Sequence, residues 1–129
     1  KRSVKGSSSG LFAPMDFLQR RIFDDFIVIC EGPTDCAAAL GMGFLSIGLP
    51  SSGACIAEAA LACEDCYALV IRDPDAAGKR SSERLAEALS ETALGYCVVT
   101  PPKKMDLREW SQQRGCRAAI AEFGKMVAQ

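Results

Sequence analysis

The chain has 129 residues, with 15 basic and 16 acidic side chains, no histidine and a formal net charge of −1. This length fits a single domain with one core, and the near-zero charge excludes a general electrostatic attraction to nucleic acid. No signal peptide is visible, and no apolar run approaches the roughly 18 residues that a membrane helix requires. Because the chain begins with Lys1, we expect it to be a piece of a longer protein.

The charges are sorted along the chain in a way that the total conceals. Residues 1–21 carry five basic side chains against one acid, and residues 22–75 carry nine acids against one arginine. Residues 76–129 carry nine basic side chains against six acids. An acidic middle with basic flanks suits a metal site beside an anion-binding surface, although solvated faces give the same pattern.

The seven cysteines limit the metal chemistry, because structural zinc sites use four Cys or Cys/His ligands at paired spacings. Only Cys63 and Cys66 form a CxxC pair, and the acids between them, Glu64 and Asp65, disfavour thiolates. Zinc and redox roles are therefore not favoured. The other cysteines lie in apolar stretches and are typical of buried thiols in a reducing cytoplasm; they are Cys30, Cys36, Cys55, Cys97 and Cys116.

Residues 1–10 are basic and rich in Ser and Gly, which predicts a flexible lead-in, and residues 11–129 are expected to form one domain. The domain opens with a predicted short strand and helical turn in residues 11–23. Four continuous apolar runs then predict strands that are buried on both faces. These runs are 26–30, 44–48, 67–71 and 95–99.

Segments of helical length separate the strands, at 34–43, 52–65 and 75–91. The βαβ alternation predicts an α/β fold, with an open, parallel, Rossmann-like four-stranded sheet flanked by helices. After the last strand we expect a non-helical connection at 100–104, and then two helices separated by Gly115.

Acids follow two of the predicted strands, at the edge where ligands collect in parallel sheets. Glu31 follows the first strand and Asp35 lies four residues on, whereas Asp73 and Asp75 follow the third. Crowded carboxylates with no histidine form the ligand set of a hard ion such as Mg²⁺. Helix capping by Asp75 and a first-turn position for Asp35 are the simpler explanations for those two residues, but Glu31 caps nothing obvious.

Two other motifs are rejected. The stretch AAGKRS lacks the first glycine and the hydroxyl residue of a P-loop, since Asp73 and Arg80 occupy those positions. A response-regulator receiver requires an acidic pair just after its first strand, whereas Asp24 and Asp25 precede that strand here.

The sequence EGPTD, followed some forty residues later by RDPDAAGK, resembles the Toprim domain of primases, topoisomerases, some nucleases and recombination mediators. The resemblance runs from about residue 26 to about residue 113 and is closest to primase-type members. It is carried by a Glu-Gly pair after the first strand and an Asp-x-Asp followed by x-Ala-Gly after the third. The matching residues are Glu31, Gly32, Asp73, Asp75, Ala77 and Gly78.

The resemblance implies that Glu31 is the general acid/base and that Asp73 and Asp75 hold one or two Mg²⁺ or Mn²⁺ ions. Asp35 and Asp106 would be additional metal ligands or would support the ligands. Arg72 departs from the family pattern, which more often has an apolar or small residue there. It could pair with Asp73 or contact phosphate.

Basic residues on both sides of the predicted site suit a polyanionic substrate. They are Lys79, Arg80 and Arg84 on the third helix, and Lys103, Lys104 and Arg108 after the fourth strand. The alternative is that Arg80 and Arg84 pair with Glu83 and Glu87 on a solvated helix face. Trp110 is expected to be buried against the sheet rather than to stack on a base.

The expected function is that of a cytoplasmic Toprim catalytic domain from a DNA primase or primase-helicase-like protein in DNA replication. Such a domain performs Mg²⁺-dependent nucleotidyl or phosphoryl transfer on DNA or RNA, with nucleoside triphosphates as substrates. Its partners would include a helicase or zinc-binding domain of the parent protein. The alternatives are a Toprim-type nuclease and a non-catalytic module of recombination or repair that binds nucleic acid or a protein partner.

Overall fold

The computed structural model describes residues 10–128 of the chain. The predicted flexible lead-in therefore lies outside the described residues, except for Gly10. Within residues 10–128 no helix has both the length and the apolar character needed to cross a membrane.

The four predicted strands are confirmed and form one open, all-parallel sheet in the order β2-β1-β3-β4. Two of them match the predicted runs residue for residue, and the other two begin later than predicted. Phe44 is outside β2 because its N–H donates to the carbonyl of Ala39 and closes the end of the preceding helix. The strands are β1 Ile27–Glu31, β2 Ser46–Leu49, β3 Tyr67–Ile71 and β4 Gly95–Val99.

The helices lie between and after the strands as predicted, although most of their bounds differ. The helix predicted at 52–65 begins at Ile56 rather than Ser52, because Gly53 and Cys55 have left-handed φ angles of +75° and +59°. The predicted connection at 100–104 contains a 3₁₀ turn, Pro102–Lys104. The helices are α1 Phe17–Arg20, α2 Gly32–Gly41, α3 Ile56–Ala62, α4 Ala76–Thr92, α5 Leu107–Ser111 and α6 Cys116–Val127.

The short strand and the helical turn predicted before β1 are both shorter than expected. Phe12 makes an isolated antiparallel bridge to Gly48 of β2, and α1 is a single turn. At the other end of the domain, Gly115 separates α5 from α6 with a φ of +90°.

Alternate residues of each strand face opposite sides of the sheet, which gives the domain two core layers. Ile27 and Ile29 of β1 pack with α3 and α4, whereas Val28 and Cys30 pack with α2, α5 and α6. Trp110 lies in the second layer with 7% of its surface exposed, so its predicted burial is confirmed.

The strand order creates a topological switch point between β1 and β3. From β1 the chain crosses to β2 on one side, and then returns to β3 on the other. The loops after β1 and β3 therefore diverge, and they leave a crevice at the carboxyl ends of these strands, where ligands of open α/β sheets bind.

Candidate active site at the carboxyl edge of the sheet

Glu31 is the last residue of β1 and opens the switch-point crevice. It occupies the N-cap position of α2, but its side chain makes no capping hydrogen bond. Instead its Oε2 accepts a hydrogen bond of 2.8 Å from Ser52 Oγ in the loop after β2. Gly32 then turns the chain with a φ of +78°, a left-handed conformation that glycine adopts at little cost.

Asp73 and Asp75 lie in a closely packed turn between β3 and α4. Asp75 is the N-cap of α4, and its Oδ1 accepts a hydrogen bond of 2.6 Å from the N–H of Gly78. A Cβ at Gly78 would lie 2.6 Å from the carbonyl oxygen of Asp73 and 2.7 Å from its Cβ. Gly78 is therefore required for the first turn of α4 to pack against Asp73.

Asp35 and Asp106 both contact the first turn of α5. Asp35 is buried, with 5% of its surface exposed, and its Oδ1 accepts a hydrogen bond of 3.1 Å from the N–H of Arg108. Asp106 is the N-cap of α5 and forms a capping box with Glu109. Asp106 therefore lies beside Asp35, as the resemblance implies, but it also has a structural role as a helix cap.

These five acids, called the acid cluster below, act on one another electrostatically. Burial, followed by repulsion from Glu31, Asp35, Asp75 and Asp106, raises the pKa of Asp73 to about 7. Burial also raises the pKa of Asp35 to about 6, with further increases from Asp106 and Glu31 and an opposing effect of backbone N–H donors. The fold therefore brings the predicted acids to one edge, at an electrostatic cost.

The donor set of the cluster suits a hard divalent cation, since every candidate ligand atom is a carboxylate oxygen. In this structure, however, the carboxylate oxygens are not arranged as a ligand shell. Within residues 10–128, no group of three or more Cys, Asp or Glu side chains is arranged so that it could hold a metal ion. Cation binding would therefore require side chains of the cluster to move closer together.

Arg72 follows β3 directly, and its guanidinium is directed to α4. Its Nε donates a hydrogen bond of 2.8 Å to Ser82 Oγ, and this hydroxyl in turn donates to the carbonyl of Lys79. The one salt bridge in the described part of the chain joins Arg20 to Asp24, so Arg72 makes no ion pair with Asp73.

The six predicted phosphate-binding residues are all exposed and lie on two sides of the acid cluster. The alternative that Arg80 and Arg84 pair with Glu83 and Glu87 is wrong, because residues 10–128 contain no such ion pairs. Arg80 and Arg84 instead line a pocket beside the loop after β2. The six residues are Lys79, Arg80, Arg84, Lys103, Lys104 and Arg108.

Sequence reasoning missed Ser52 and Gly53, which connect the two halves of the site. The sequence pattern predicts a helix at Ser52, but this residue lies in the loop after β2 and donates a hydrogen bond to Glu31. The N–H of Gly53 donates a hydrogen bond of 3.2 Å to Ser81 Oγ on α4. The rule that ligands collect at the carboxyl ends of strands applies to β2 as well, and it could have identified residues 51–53.

The CxxC pair lies away from this edge, at the end of α3 and before β3. Cys63 is fully buried, and burial raises the pKa of its thiol to about 12. Cys63 and Cys66 are both free thiols, so the pair forms no disulfide.

Comparisons with protein-family models, with curated proteins and with solved structures gave no match. What is established is therefore an open parallel α/β sheet that carries an acid cluster at its switch point.

Proposed function

We propose that this chain is a Toprim-type catalytic domain that performs Mg²⁺-dependent nucleotidyl transfer of the primase type. One observation carries the proposal. Glu31 ends β1, Asp73 and Asp75 follow the adjacent β3, and burial together with repulsion from the other carboxylates raises the pKa of Asp73. A structural role for Asp75 is satisfied by its helix cap, but capping explains neither Glu31 nor Asp73.

Three acids of the cluster have separate roles in the proposed transfer reaction. Glu31 accepts the proton of an attacking hydroxyl group, and its hydrogen bond from Ser52 fixes the position of its carboxylate. The hydroxyl oxygen forms a bond to the α-phosphorus of a nucleoside triphosphate, and pyrophosphate leaves with the electrons of the broken P–O bond. Asp73 and Asp75 would hold the Mg²⁺ or Mn²⁺, which neutralises phosphate charge when bound.

The exposed basic residues support a polyanionic substrate. One group lies on α4, directly after Asp75, and the other lies on the 3₁₀ turn and α5, on either side of Asp106. Phosphates of a nucleic-acid strand or of a nucleoside triphosphate that bind these groups would lie next to the acid cluster between them. Such contacts give salt-dependent binding that is largely independent of sequence.

The proposal is tested by nucleotide incorporation on a primed or unprimed single-stranded template, with Mg²⁺ or Mn²⁺ present. Glu31→Gln should reduce incorporation by at least a hundredfold, because it removes the general base. Glu58→Gln, at an exposed acid of α3, is the matched control and should leave incorporation unchanged. Equal activity of Glu31→Gln and wild type would refute the assignment.

Two other outcomes would replace this function with another one. Metal-dependent cleavage of the template, lost in Glu31→Gln, would identify a nuclease with the same site. Binding of single strands with neither synthesis nor cleavage would identify a non-catalytic module. Because primase-type synthesis generally involves a separate part that grips the template, the same variants are also to be tested with any neighbouring domains of a longer parent protein.

A metal titration tests the site separately from activity. Mg²⁺ and Mn²⁺ should raise the melting temperature of the wild-type protein, since a ligand that binds only the folded state stabilises it. The double variant Asp73→Asn/Asp75→Asn should lose most of this increase. Equal increases in both proteins would show that the cation does not bind to these carboxylates.

A further inference from the structure

A second pocket adjoins the acid cluster and is basic rather than acidic. Its volume is about 260 Å³, and it lies between the loop after β2 and the first turns of α4. This arginine pocket is lined by Ser52, Gly53, Ala77, Arg80, Ser81 and Arg84.

The two arginines of the pocket have no acidic partner. Arg80 and Arg84 lie four residues apart on α4, so their side chains project from the same face of the helix. Both residues are exposed, and neither makes a salt bridge within residues 10–128. Two adjacent guanidinium groups without counter-charges favour an anionic ligand with more than one negative charge.

The opposite wall of the pocket is fixed in place by hydrogen bonds at two points. Ser52 is bonded to Glu31, and the N–H of Gly53 is bonded to Ser81. A Cβ at Gly53 would lie 3.0 Å from Arg84 Nη1, so the loop packs directly against that guanidinium. The pocket is therefore built from anchored parts before any ligand binds, which lowers the entropic cost of binding.

The pocket is also connected to the proposed chemistry. Ser52 lines it and at the same time donates a hydrogen bond to the carboxylate of Glu31, so the arginine pocket adjoins the acid cluster through this one side chain. A ligand that extends from one to the other would place one phosphate at the carboxylates and further phosphates at the guanidinium groups.

We infer that the arginine pocket binds the β- and γ-phosphates of a nucleoside triphosphate whose α-phosphate lies at the acid cluster. This inference rests on the proposed function, since it assigns a substrate subsite to that reaction. A nucleic-acid strand fits less well, because it carries only one charge per nucleotide and must continue past the pocket, which the anchored loop bounds on one side. Adjacent phosphates at the end of a small molecule match the compact, doubly basic site.

The test uses inorganic tripolyphosphate without divalent metal, so that it depends neither on turnover nor on cation binding. Tripolyphosphate should bind the wild-type protein, and Arg80→Gln and Arg84→Gln should each weaken binding at least tenfold, as expected for loss of a charged hydrogen bond. Arg114→Gln, at an exposed arginine between α5 and α6, is the matched control and should bind like wild type. Glutamine keeps the helix propensity of arginine, and melting curves verify that each variant is folded.

Absence of tripolyphosphate binding, or equal binding by the wild type and both pocket variants, would overturn the inference. A single-stranded oligonucleotide without terminal phosphates provides the second arm. If the pocket variants weaken its binding as much as that of tripolyphosphate, the pocket binds a polymer backbone and the triphosphate assignment is wrong. If tripolyphosphate binds as expected but Glu31→Gln leaves nucleotide incorporation unchanged, the proposed catalytic function fails while the anion pocket stands.

Discussion

Replacing Asp73 with asparagine should stabilise the protein at neutral and alkaline pH. Burial and the neighbouring carboxylates raise the pKa of Asp73 to about 7, from an ordinary value of 3.8. Between these two values the folded state binds a proton that the unfolded state has lost, so stability falls as the pH rises from about 4 to about 7. An asparagine side chain has nearly the same shape as the protonated carboxyl group and never acquires the charge.

The size of the effect follows from the difference between the folded and unfolded pKa values. At about 1.4 kcal/mol for each pH unit between them, ionisation of Asp73 without solvent screening would lower the stability of the wild-type protein by about 4 kcal/mol. The side chain is only partly buried, and solvent screens its interactions with the other acids. We therefore expect Asp73→Asn to be about 1–2 kcal/mol more stable than wild type at pH 8, and about equally stable at pH 4.

Urea unfolding of both proteins at pH 4 and pH 8, in the presence of EDTA, measures this difference. Glu122→Gln is the control, because Glu122 is an exposed acid on α6. Its stability relative to wild type should not change with pH by a comparable amount. A stability difference for Asp73→Asn that is the same at both pH values would refute the electrostatic description of the acid cluster.

Three further results are expected. Gly78→Ala should lower the free energy of unfolding by on the order of 2–4 kcal/mol in a thermal or urea melt, because the added Cβ would lie 2.6 Å from the carbonyl oxygen of Asp73. Gly41 has open space around it, so the control Gly41→Ala should leave the free energy of unfolding unchanged or raise it. Lys103→Gly and Lys104→Gly should each stabilise the fold by about 1 kcal/mol, because both lysines have left-handed φ angles, of +57° and +56°. The same variants should bind an oligonucleotide more weakly in a titration, because each removes a positive charge. By calorimetry, Mg²⁺ affinity should fall about tenfold per pH unit below about pH 7, because a proton on Asp73 competes with the cation; affinity that is independent of pH would contradict this competition.

The sheet could be predicted from the sequence because its strands are buried on both faces. Such strands appear as continuous apolar runs, and the runs at 67–71 and 95–99 coincide with β3 and β4. The late start of β2 could not be predicted in this way. Phe44 and Leu45 are as apolar as the strand itself, and only the hydrogen bond from Phe44 to Ala39, which depends on the end of α2, assigns Phe44 to the turn.

The acids of the site could be placed by one general rule, whereas their partners could not. Glu31 and Asp73 were expected at one edge because parallel strands end at the same edge of a sheet. The hydrogen bond between Glu31 and Ser52 depends on where the loop after β2 returns to α3. That path is set by left-handed residues such as Cys55, which a local sequence pattern does not reveal.

Unfavourable features of the fold concentrate at the carboxyl edge of the sheet. Of the four non-glycine residues with left-handed φ angles among the described residues, Cys55, Lys103 and Lys104 lie in loops after β2 and β4. The same edge carries Asp73, whose pKa is raised by its burial and by repulsion from the neighbouring carboxylates. Folding alone gains nothing from collecting strain and like charges in one place, whereas a site that binds cations and phosphates recovers the cost when its ligands arrive. This concentration is therefore a physical reason, independent of the sequence motifs, for locating the function of the chain at this edge.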